Sequence, residues 1–264
     1  MKFTKMHGLG NDYLYVYGEV PGNAAELSKK LSDRHFGAGS DGMIYISTSN
    51  IADFKMRIFN ADGSEAKMCG NGIRCVGKFV YDKGYTDKKF LSIETLSGVK
   101  YLTLQVAGGK VKTVAVDMGQ AKAEKPINLT VDGETVSLIP VSVGNPHAVI
   151  FVDDIEKAPL TKLGPIIEHH EAFPDGVNVE FVEVLGADKL RMRVWERGSG
   201  VTMACGTGAC ASVMAAIAAK LFHYDETVSV LLDGGTLKIQ IAPDNTVQMT
   251  GPAETVYEGE TEIC

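Results

Sequence analysis

The sequence predicts an α+β protein of two pseudo-symmetric domains that arose by internal duplication. Three observations support this prediction: β-rich runs outnumber helical patterns, one stretch of the chain recurs in its second half, and a Cys-Gly-X-Gly turn precedes an apolar helical pattern in both copies. Each domain is expected to be β-rich, with one helix running through or against its sheet.

Strands dominate the predicted elements, because short runs alternate apolar and polar residues or are rich in β-branched and aromatic residues. The predicted strands cover residues 13–17, 43–46, 56–59, 101–106, 111–116, 136–143, 148–151, 177–184, 190–195, 228–232, 237–241 and 247–250. Helical patterns cover residues 24–34, 73–83 and 209–221, and Gly84 is predicted to stop the second helix. The third pattern carries apolar residues on nearly every face, which predicts a buried helix.

The second half of the chain repeats the first. The stretch MRIFNADGSEAKMCGNG, which begins at Met56, aligns without a gap on MRVWERGSGVTMACGTG, which begins 136 residues later at Met192. Cys69 and Cys205 are therefore counterparts. A periodicity of this length indicates a duplicated structural unit.

Further equivalences extend the repeat over most of each half. They pair Gly42 with Asn178, Asn60 with Glu196 and, after a two-residue shift that aligns HGLGNDYLYV with VSVGNPHAVI, Asn11 with Asn145. We predict one domain over residues 1–115, completed by residues 251–264, and a second over residues 116–250. A pseudo-twofold axis would bring the equivalent loops together at the interface.

Composition limits the classes of ligand. The chain has 264 residues, 45% of them hydrophobic, and a net charge of −7, so no basic stripe is available to neutralise nucleic-acid phosphates or an acidic membrane. Small molecules are the expected ligands. The N-terminal MKFTKMHGLGNDY lacks the apolar run of a signal peptide, and no segment has the apolar length of a transmembrane helix. A cytoplasmic location is therefore expected.

The five cysteines fit neither a disulfide scaffold nor a zinc-ribbon spacing, because their number is odd and none forms a CxxC pair. Reduced thiols are expected, with no metal. Two of them, Cys69 and Cys205, each precede a Gly-X-Gly turn that opens a helix. The free N–H groups and positive dipole end of such a helix lower the pKa of a nearby thiol, so one of the two can be a thiolate at neutral pH.

Two equivalent thiols with an anion site between them indicate racemisation or epimerisation next to a carboxylate. One cysteine would remove the α-proton and the other would return a proton on the opposite face, each acting as a general acid or base. The same helix N-termini would stabilise the carboxylate and the developing carbanion in a water-excluding cleft.

The motifs HGLGNDY, FNADGSEAKMCGNGIRC, GNPH, ERGSGVTMACGTGAC and GPAETVYEG resemble those of diaminopimelate epimerase, in order and across essentially the whole chain. The resemblance implies two domains of mixed β-sheet, or β-roll, wrapped around a central helix. It also implies a homodimeric enzyme without a cofactor that interconverts LL- and meso-diaminopimelate on the route to lysine and peptidoglycan.

The resemblance assigns roles residue by residue. Cys69 and Cys205 would be the acid–base pair, His147 and Glu196 would help to set their protonation, and Tyr257 would lie at the dimer contact. The α-carboxylate would be bound by amides of Gly70, Asn71, Gly206 and Thr207. The distal amino-acid end would be bound by Asn60, Asn145, Asn178 and Arg197, the reacting amino group by Glu196 and the backbone near Arg197, and Asn11 would line the same pocket.

One motif departs from part of the family. Some members carry a glutamine after the aspartate of the loop that here reads GAGSDGM, where this chain has Gly42. The resemblance therefore places Gly42 in the substrate-binding loop, but the contact made by that glutamine is in doubt.

Several chemically suggestive residues have simpler interpretations. Cys75 and Cys210 are expected to be core thiols, and Cys264 a tail residue without a role. The run EHHE at residues 168–171 is expected to be a solvated helix face rather than a metal site, because adjacent helical residues point apart. Trp195 is expected to be a strand core residue, and His7 a core or loop histidine.

Other functions remain as alternatives. A two-thiol proline or hydroxyproline racemase would need a pocket for a ring, whereas Arg197 and several asparagines favour a polar distal end. A non-catalytic binding protein for an amino acid or anion would leave two matched cysteines without a purpose. A pyridoxal-phosphate racemase would need a lysine near a phosphate site, and a cysteine hydrolase would need one oriented thiol rather than a symmetric pair.

Overall fold

The structure is a computed structural model that describes residues 1–263; Cys264 lies outside the described residues. In chain order the elements are β1 (Lys2–Gly8), β2 (Asn11–Tyr17), α1 (Ala24–Ser32), β3 (Gly42–Ser47), β4 (Phe54–Asn60), β5 (Glu65–Ala66), α2 (Gly70–Asp82), β6 (Phe90–Thr95), β7 (Gly98–Ala107), β8 (Lys110–Gln120), β9 (Lys122–Ala123), β10 (Ile127–Val131), β11 (Glu134–Ser142), β12 (Pro146–Phe151), a 3-10 turn (Ile155–Lys157), α3 (Leu160–Glu168), β13 (Asn178–Gly186), β14 (Lys189–Glu196), β15 (Gly200–Thr202), α4 (Gly206–Ala218), β16 (Thr227–Leu232), β17 (Gly235–Ile241), β18 (Thr246–Pro252) and β19 (Glu254–Glu260).

The chain divides into two compact units, Met1–Val116 with the chain from Gly251 onward, and Asp117–Thr250. In the first unit β19 pairs with β1, and the sheet continues through β2, β3, β4, β6, β7 and β8. The β2–β3 and β4–β6 pairings are parallel, and the short β5 pairs with β4. Helix α2 packs against β1, β2 and β7, and α1 packs against β3 and β4.

The second unit has the same arrangement of its own elements. Its sheet runs from β9 through β11, β12, β13, β14, β16 and β17 to β18, with β12–β13 and β14–β16 parallel and β15 paired with β14. The sheet surrounds α4, which contacts six of these strands, and α3 covers β13 and β14. This order of mixed strands around a helix confirms the predicted α+β fold class.

Hydrophobic burial explains why each helix lies where it does. Every position of α4 from Gly208 to Ile217 is buried, as the apolar pattern predicted. In α2 the buried stretch runs from Asn71 to Val80. A helix with apolar residues on all faces is stable only when a sheet covers it on several sides.

The three predicted helices end one to three residues later than α1, α2 and α4, and the second and third also start three residues later. The Gly-X-Gly turns form the first turns of α2 and α4 rather than loops before them, because Cys69 and Cys205 themselves cap the helices. Gly84 follows the end of α2 with φ +77°, a conformation that glycine adopts without strain, so the predicted stop is confirmed.

Several elements are absent from the prediction. They are β1, β6, β10, β19 and α3, together with the short β5, β9, β15 and the 3-10 turn. Helix α3 contains Gly164 and Pro165, which argue against a helix locally. Tertiary packing overrides this preference, since a Cβ atom on Gly164 would lie 2.7 Å from the Trp195 side chain.

Within residues 1–263, no helix is both long and apolar enough to cross a bilayer.

The core of the second unit generates a prediction about stability. Phe181 on β13 is buried in this core, and Trp195, the only tryptophan of the chain, packs against the same cluster. Phe181→Ala should lower the free energy of unfolding of this unit by about 3–5 kcal/mol, because it removes a large buried side chain and leaves a cavity. Urea unfolding followed by Trp195 fluorescence measures the change.

The control is Val184→Ala on the same strand, where the side chain is exposed and the change should be within about 0.5 kcal/mol. Equal midpoints for the two variants would contradict the packing described here.

Candidate functional site

Both predicted reactive cysteines occupy the N-cap positions of buried helices. Cys69 precedes α2 in an extended conformation, and its Sγ accepts a hydrogen bond from Gly72 N at 3.3 Å. Cys205 precedes α4 in the same way, with Gly208 N donating to its Sγ at 3.3 Å. An N-cap side chain normally supplies an oxygen acceptor, so each thiol sulfur takes the place of a capping oxygen. The polar start of the helix thus fixes the direction of each sulfur.

The first turns of α2 and α4 contain the residues expected to bind a carboxylate. They are Gly70 and Asn71 after Cys69, and Gly206 and Thr207 after Cys205. The first N–H groups of a helix lack partners within the helix and point toward its N-terminus. Each half therefore presents backbone donors next to its thiol, the arrangement that binds anions.

In the first unit, Asn11 links Cys69 to a charged cluster. The Cys69 thiol donates to Asn11 Oδ1 at 3.3 Å, and Asn11 Nδ2 donates to Asp41 Oδ2 at 2.8 Å. Asp41 also forms an ion pair with Arg34, at 3.0 Å. Since the carboxylate of Asp41 can only accept, it fixes the Asn11 amide with its oxygen toward the thiol.

Gly42 lies at the start of β3, opposite Asn60 on β4. A Cβ atom at position 42 would lie 2.2 Å from Phe59 O and 2.9 Å from the Tyr13 ring. A side chain such as glutamine therefore does not fit on this backbone. The neighbouring Tyr13 phenol lies beside Asn11 and Cys69. Burial raises the pKa of this phenol well above the usual range, and the charge of the Cys69 thiolate form adds to the effect.

Asn60 ends β4, and its side chain donates to Ser64 Oγ at 3.0 Å while its backbone N–H donates to Ser64 O at 2.8 Å. The next residue, Ala61, donates its N–H to Asp41 O at 2.9 Å. The first unit thus gathers Asn11, Gly42 and Asn60 around the loop that contains Asp41, and it links Cys69 to that loop through Asn11.

In the second unit, a chain of hydrogen bonds leads from a buried carboxylate to Cys205. His147 Nδ1 lies 2.7 Å from Glu180 Oε1, and His147 Nε2 lies 3.1 Å from Asn145 Oδ1. Asn145 Nδ2 donates to Thr207 Oγ1 at 3.3 Å, and Thr207 Oγ1 lies 3.5 Å from Cys205 Sγ. Three predicted site residues, Asn145, His147 and Thr207, are therefore members of one network.

Asn178 joins the strands next to this network. Its Nδ2 donates to Pro146 O at 2.9 Å, and its Oδ1 accepts from Arg197 N at 3.0 Å. The Arg197 guanidinium is exposed and donates to Asp175 O at 2.7 Å. Asn178 therefore fixes the backbone at Arg197, while the guanidinium lies at the surface.

Glu196 is directed toward Cys205 by a hydrogen bond from the Thr202 hydroxyl. Burial raises the pKa of Glu196, and the nearby charge of Glu180 adds to the effect, whereas the Thr202 hydrogen bond opposes it. Burial also raises the pKa of Cys205 well above its usual range. The charges of Glu196 and Glu180 raise it further.

The expected lowering of the thiol pKa by the helix N-terminus is present at Cys205 but does not dominate there. Burial and two carboxylates outweigh the hydrogen bond from Gly208 N, which acts in the opposite direction. The repeat suggested two similar thiol environments, but the neighbours differ. Cys69 is partly exposed beside the Asn11 amide, whereas Cys205 is buried beside carboxyl groups.

The run at residues 168–171 corrects another expectation. His169 and Glu171 are exposed, as a solvated face requires, but Glu168 is buried. Its carboxylate accepts from Trp195 Nε1 at 2.6 Å and from Gly198 N at 2.8 Å. Glu168 therefore anchors the turn that carries Glu196 and Arg197. Among residues 1–263 no cluster of three or more His, Cys, Asp or Glu side chains could hold a metal ion.

The two thiols that were expected in the core lie there. Cys75 and Cys210 are fully buried, and burial raises the pKa of Cys75 to about 11. Trp195 packs against the core cluster of the second unit. Tyr257 lies on the exposed strand β19 and donates its hydroxyl to Ala38 O at 3.2 Å. His7 lies on β1, where its Nδ1 accepts from Gly10 N at 3.3 Å.

Sequence reasoning missed three carboxylates that support the site, Asp41, Glu168 and Glu180. Glu180 carried a usable signal, because the strand NVEFVEV places it on the same face as Asn178, two residues earlier. A charged residue in the middle of an apolar strand needs a buried partner. Asp41 lies in the loop motif GAGSDGM. Glu168 begins the run EHHE, whose histidines suggested a solvated helix face.

Comparisons with known proteins agree with these motifs. A family model described as diaminopimelate epimerase matches residues 3–124 and 139–256. The diaminopimelate epimerase of Acetivibrio thermocellus is 51% identical over 279 aligned residues, which cover 100% of this chain and 99% of that protein. The chain belongs to the diaminopimelate epimerase family. The resemblance drawn from the motifs is therefore confirmed, and the family is one of isomerases.

A relative from an archaeon shows the same extent of similarity. The diaminopimelate epimerase of Methanococcus maripaludis is 52% identical over 279 aligned residues and covers 100% of both proteins. Solved structures at lower identity share the fold. A PhzF-family phenazine biosynthesis protein of Bacillus anthracis has a TM-score of 0.78 at 17% identity and covers 100% of this chain and 99% of that one. A probable proline racemase of Agrobacterium radiobacter has a TM-score of 0.74 at 17% identity, covering 100% and 93%.

The environment of Cys205 generates a prediction about thiol reactivity. A raised pKa leaves less thiolate at a given pH, so Cys205 should react with iodoacetamide more slowly than Cys69 at pH 7, and its rate should rise only at pH values above the ordinary thiol pKa of about 8.5. Quantitative peptide mass spectrometry measures both rates in one sample.

Greater exposure alone would also make Cys69 react faster than Cys205. Glu196→Gln therefore tests whether the charge of Glu196 slows the alkylation of Cys205. Removing this carboxylate should accelerate alkylation of Cys205 at pH 8 and leave the rate at Cys69 unchanged. The buried Cys75 and Cys210 serve as internal controls for the folded state. A rate at Cys205 that does not respond to Glu196→Gln would contradict the electrostatic cause.

Proposed function

We propose that this chain is a cofactor-independent epimerase that interconverts LL-2,6-diaminopimelate and meso-diaminopimelate with Cys69 and Cys205 as its two acid–base groups. The observation that carries the proposal is the pair of N-cap thiols, each next to the backbone amides of a helix N-terminus, in a chain about half identical to named diaminopimelate epimerases over its full length.

Inversion at the α-carbon requires one group to remove the proton and a second to return one on the opposite face. The raised pKa of Cys205 favours its protonated form at rest. We therefore assign Cys205 as the resting proton donor, so Cys69 must give up the proton that it donates to Asn11 Oδ1 before it acts as the base in one direction of the reaction. After turnover the protonation states are exchanged, which serves the reverse direction.

The α-proton of an amino acid is weakly acidic, so the proposal needs electrostatic stabilisation of the carbanion. The first-turn amides of Gly70 and Asn71, and of Gly206 and Thr207, would donate to the α-carboxylate. Helix dipoles would add to this effect, because the N-terminus of a helix favours negative charge. No pyridine ring is needed to delocalise the charge in this arrangement.

The remaining site residues would bind the rest of the substrate. In the proposal the distal amino-acid end contacts Asn60, Asn145, Asn178 and Arg197, and Asn11 lines the pocket. Glu196 and the backbone near Arg197 would bind the reacting amino group. Asn178 fixes this backbone, because its Oδ1 accepts from Arg197 N at 3.0 Å. Gly42 would contribute only backbone to the loop, since no side chain fits there.

The proposal extends to the cellular setting. Diaminopimelate is a precursor of lysine and of peptidoglycan, so the chain would act in those pathways. A cytoplasmic location follows from the mechanism, because two free thiols must stay reduced in order to exchange protons. The proposed ligand is this small dicarboxylate, with neither nucleic acid nor a membrane as a partner.

The decisive experiment incubates the reduced protein with LL-diaminopimelate in heavy water without pyridoxal phosphate. The meso isomer should appear with solvent deuterium at one α-carbon, measured by NMR and chiral chromatography. Cys69→Ala and Cys205→Ala should each reduce epimerisation at least about 100-fold, because each removes one of the two proton-transfer groups.

Cys210→Ala is the matched control, because Cys210 is buried inside α4, the helix that Cys205 caps. It should retain most of the activity. L-proline and trans-4-hydroxy-L-proline serve as alternative substrates. Inversion of proline without inversion of diaminopimelate would overturn the substrate assignment, and neither exchange nor inversion of any of them would overturn the enzymatic proposal.

We also propose that the chain forms a homodimer through the surface around β19. This strand is exposed along almost its whole length, and Val256 and Tyr257 are large exposed side chains on it. Phe36, two residues from the Ala38 carbonyl that binds Tyr257, is 89% exposed. A patch of exposed apolar side chains on a water-soluble enzyme is typical of a protein interface.

Sedimentation velocity tests the dimer. The wild type should sediment at twice the chain mass, and Tyr257→Asp should shift it toward the monomer, because a carboxylate would be desolvated in the interface. Tyr101→Asp, at an exposed tyrosine on β7, is the control and should leave the dimer intact. A monomeric wild type would overturn the proposal.

A further inference from the structure

Glu180 is a buried charged group to which the proposed mechanism gives no role. It lies on β13 with 0% of its surface exposed. Its Oε1 lies 2.7 Å from His147 Nδ1, and its Oε2 has no hydrogen-bond partner among residues 1–263. A buried carboxylate is costly unless a partner compensates it, so its retention in the core indicates a purpose beyond packing.

The backbone around Glu180 places it against the start of α4. A Cβ atom on Gly208 would lie 2.8 Å from Glu180 Oε1. Gly208 is the residue whose N–H caps Cys205, so the carboxylate lies against the turn that holds the thiol. The positive end of the helix dipole stabilises a negative charge at this place.

We infer that Glu180 is a positioning residue for Cys205, which it controls by orienting His147 and, through His147, the Asn145 amide and the Thr207 hydroxyl. This inference deepens the proposed function and rests on it for its catalytic consequence. The orienting role itself rests only on the hydrogen-bonded chain from Glu180 to Cys205.

The hydrogen bond to Glu180 determines which ring nitrogen of His147 carries a proton. A carboxylate can only accept, so the His147 Nδ1 atom must carry a proton directed at Glu180. The other ring nitrogen, Nε2, faces the Asn145 amide at 3.1 Å. Only two arrangements satisfy this pair. Either Nε2 carries a second proton and donates to Asn145 Oδ1, or Nε2 is bare and accepts from the amide nitrogen after the amide has turned over.

Each arrangement gives the Thr207 hydroxyl a different direction. With Nε2 protonated, the Asn145 amide donates to Thr207 Oγ1, which leaves the hydroxyl hydrogen free to donate to a Cys205 thiolate. With Nε2 bare, the amide oxygen accepts the hydroxyl hydrogen, and Thr207 Oγ1 is left to accept from a Cys205 thiol. The network can therefore match either protonation state of Cys205, provided that Glu180 holds the Nδ1 proton in place.

Other charged groups face this network. Glu196 on β14 carries a carboxyl group near both His147 and Cys205, and Glu180 acts on both Glu196 and Cys205. Glu180 differs from Glu196 in its hydrogen bonding, because Glu196 accepts from Thr202 whereas Glu180 bonds to the histidine. The two carboxyl groups are therefore not interchangeable.

The experiment measures the tautomer of His147 in the whole protein labelled with ¹⁵N-histidine. Long-range ¹H–¹⁵N correlation spectra report which ring nitrogen carries hydrogen, and His147→Asn identifies the signals of His147. In the wild type the Nδ1 atom of His147 should carry a proton, as either the Nδ1–H tautomer or the imidazolium. Glu180→Gln keeps the volume and removes the charge, so it should shift His147 away from this state.

Activity supplies the second readout. Glu180→Gln should lower kcat by roughly tenfold to 100-fold, the usual effect of removing a group that orients a functional histidine, while KM changes less than about threefold. Glu183→Gln is the matched control: it is the same substitution on the same strand, at a position on the opposite face of β13, where the carboxylate accepts from Ile155 N. It should change neither the spectrum nor kcat.

The outcomes separate the two proposals. A neutral wild-type His147 with a bare Nδ1 atom overturns the inference without any variant, as does a Glu180→Gln protein with an unchanged His147 spectrum and unchanged kcat. A wild type that fails to epimerise diaminopimelate but shows the Nδ1 proton and its loss in Glu180→Gln overturns the substrate assignment and supports the positioning role of Glu180.

Discussion

The capping of a buried helix by a thiol is the interaction on which the rest of the site depends. In each unit the cysteine sulfur accepts the N–H of the third residue after it, so the sulfur is fixed to the start of a buried helix. The cap also sets the composition of the first turn. A side chain at Gly72 would lie 2.7 Å from Ile44, and one at Gly208 would lie 2.8 Å from Glu180. A side chain at either position would displace the end of its neighbour, so packing rather than backbone conformation favours glycine there.

The same cap has different chemical surroundings in the two units. Cys69 donates to an asparagine oxygen that Asp41 orients, and it is partly exposed. Cys205 lies in a buried pocket with Glu196 and Glu180, which together with burial raise its pKa. A duplicated fold thus supplies two similar positions for a thiol, and different carboxylates make the positions unequal. In two-base inversion one group must begin as an acid and the other as a base, and the unequal surroundings favour Cys205 as the acid.

Buried carboxylates are the means by which the second unit holds its polar loops. Glu168 accepts from Trp195 and Gly198 and so fixes the turn that carries Glu196, while Glu180 fixes His147. Each of these carboxylates is buried, which is unfavourable in isolation. Two hydrogen bonds compensate Glu168, and the contact with His147 compensates one oxygen of Glu180. Removing one partner would leave a charge unpaired in the core, so these networks constrain the loops strongly.

The sequence by itself determined the fold class and the family, showed the duplication and predicted two reactive cysteines. It did so because hydrophobic periodicity, glycine turns and the repeat of a cysteine motif are local patterns that survive without coordinates. The sequence did not predict α3 or the strands β1, β6, β10 and β19. Gly164 and Pro165 weaken the helical pattern of α3, and polar or exposed residues weaken the strand patterns. Only the tertiary structure decided that Glu168 is buried, that Glu180 binds His147 and that Cys205 has a raised pKa. These are properties of side chains that meet from distant parts of the chain, and the cost of burying their charge is set by neighbours that no local pattern identifies.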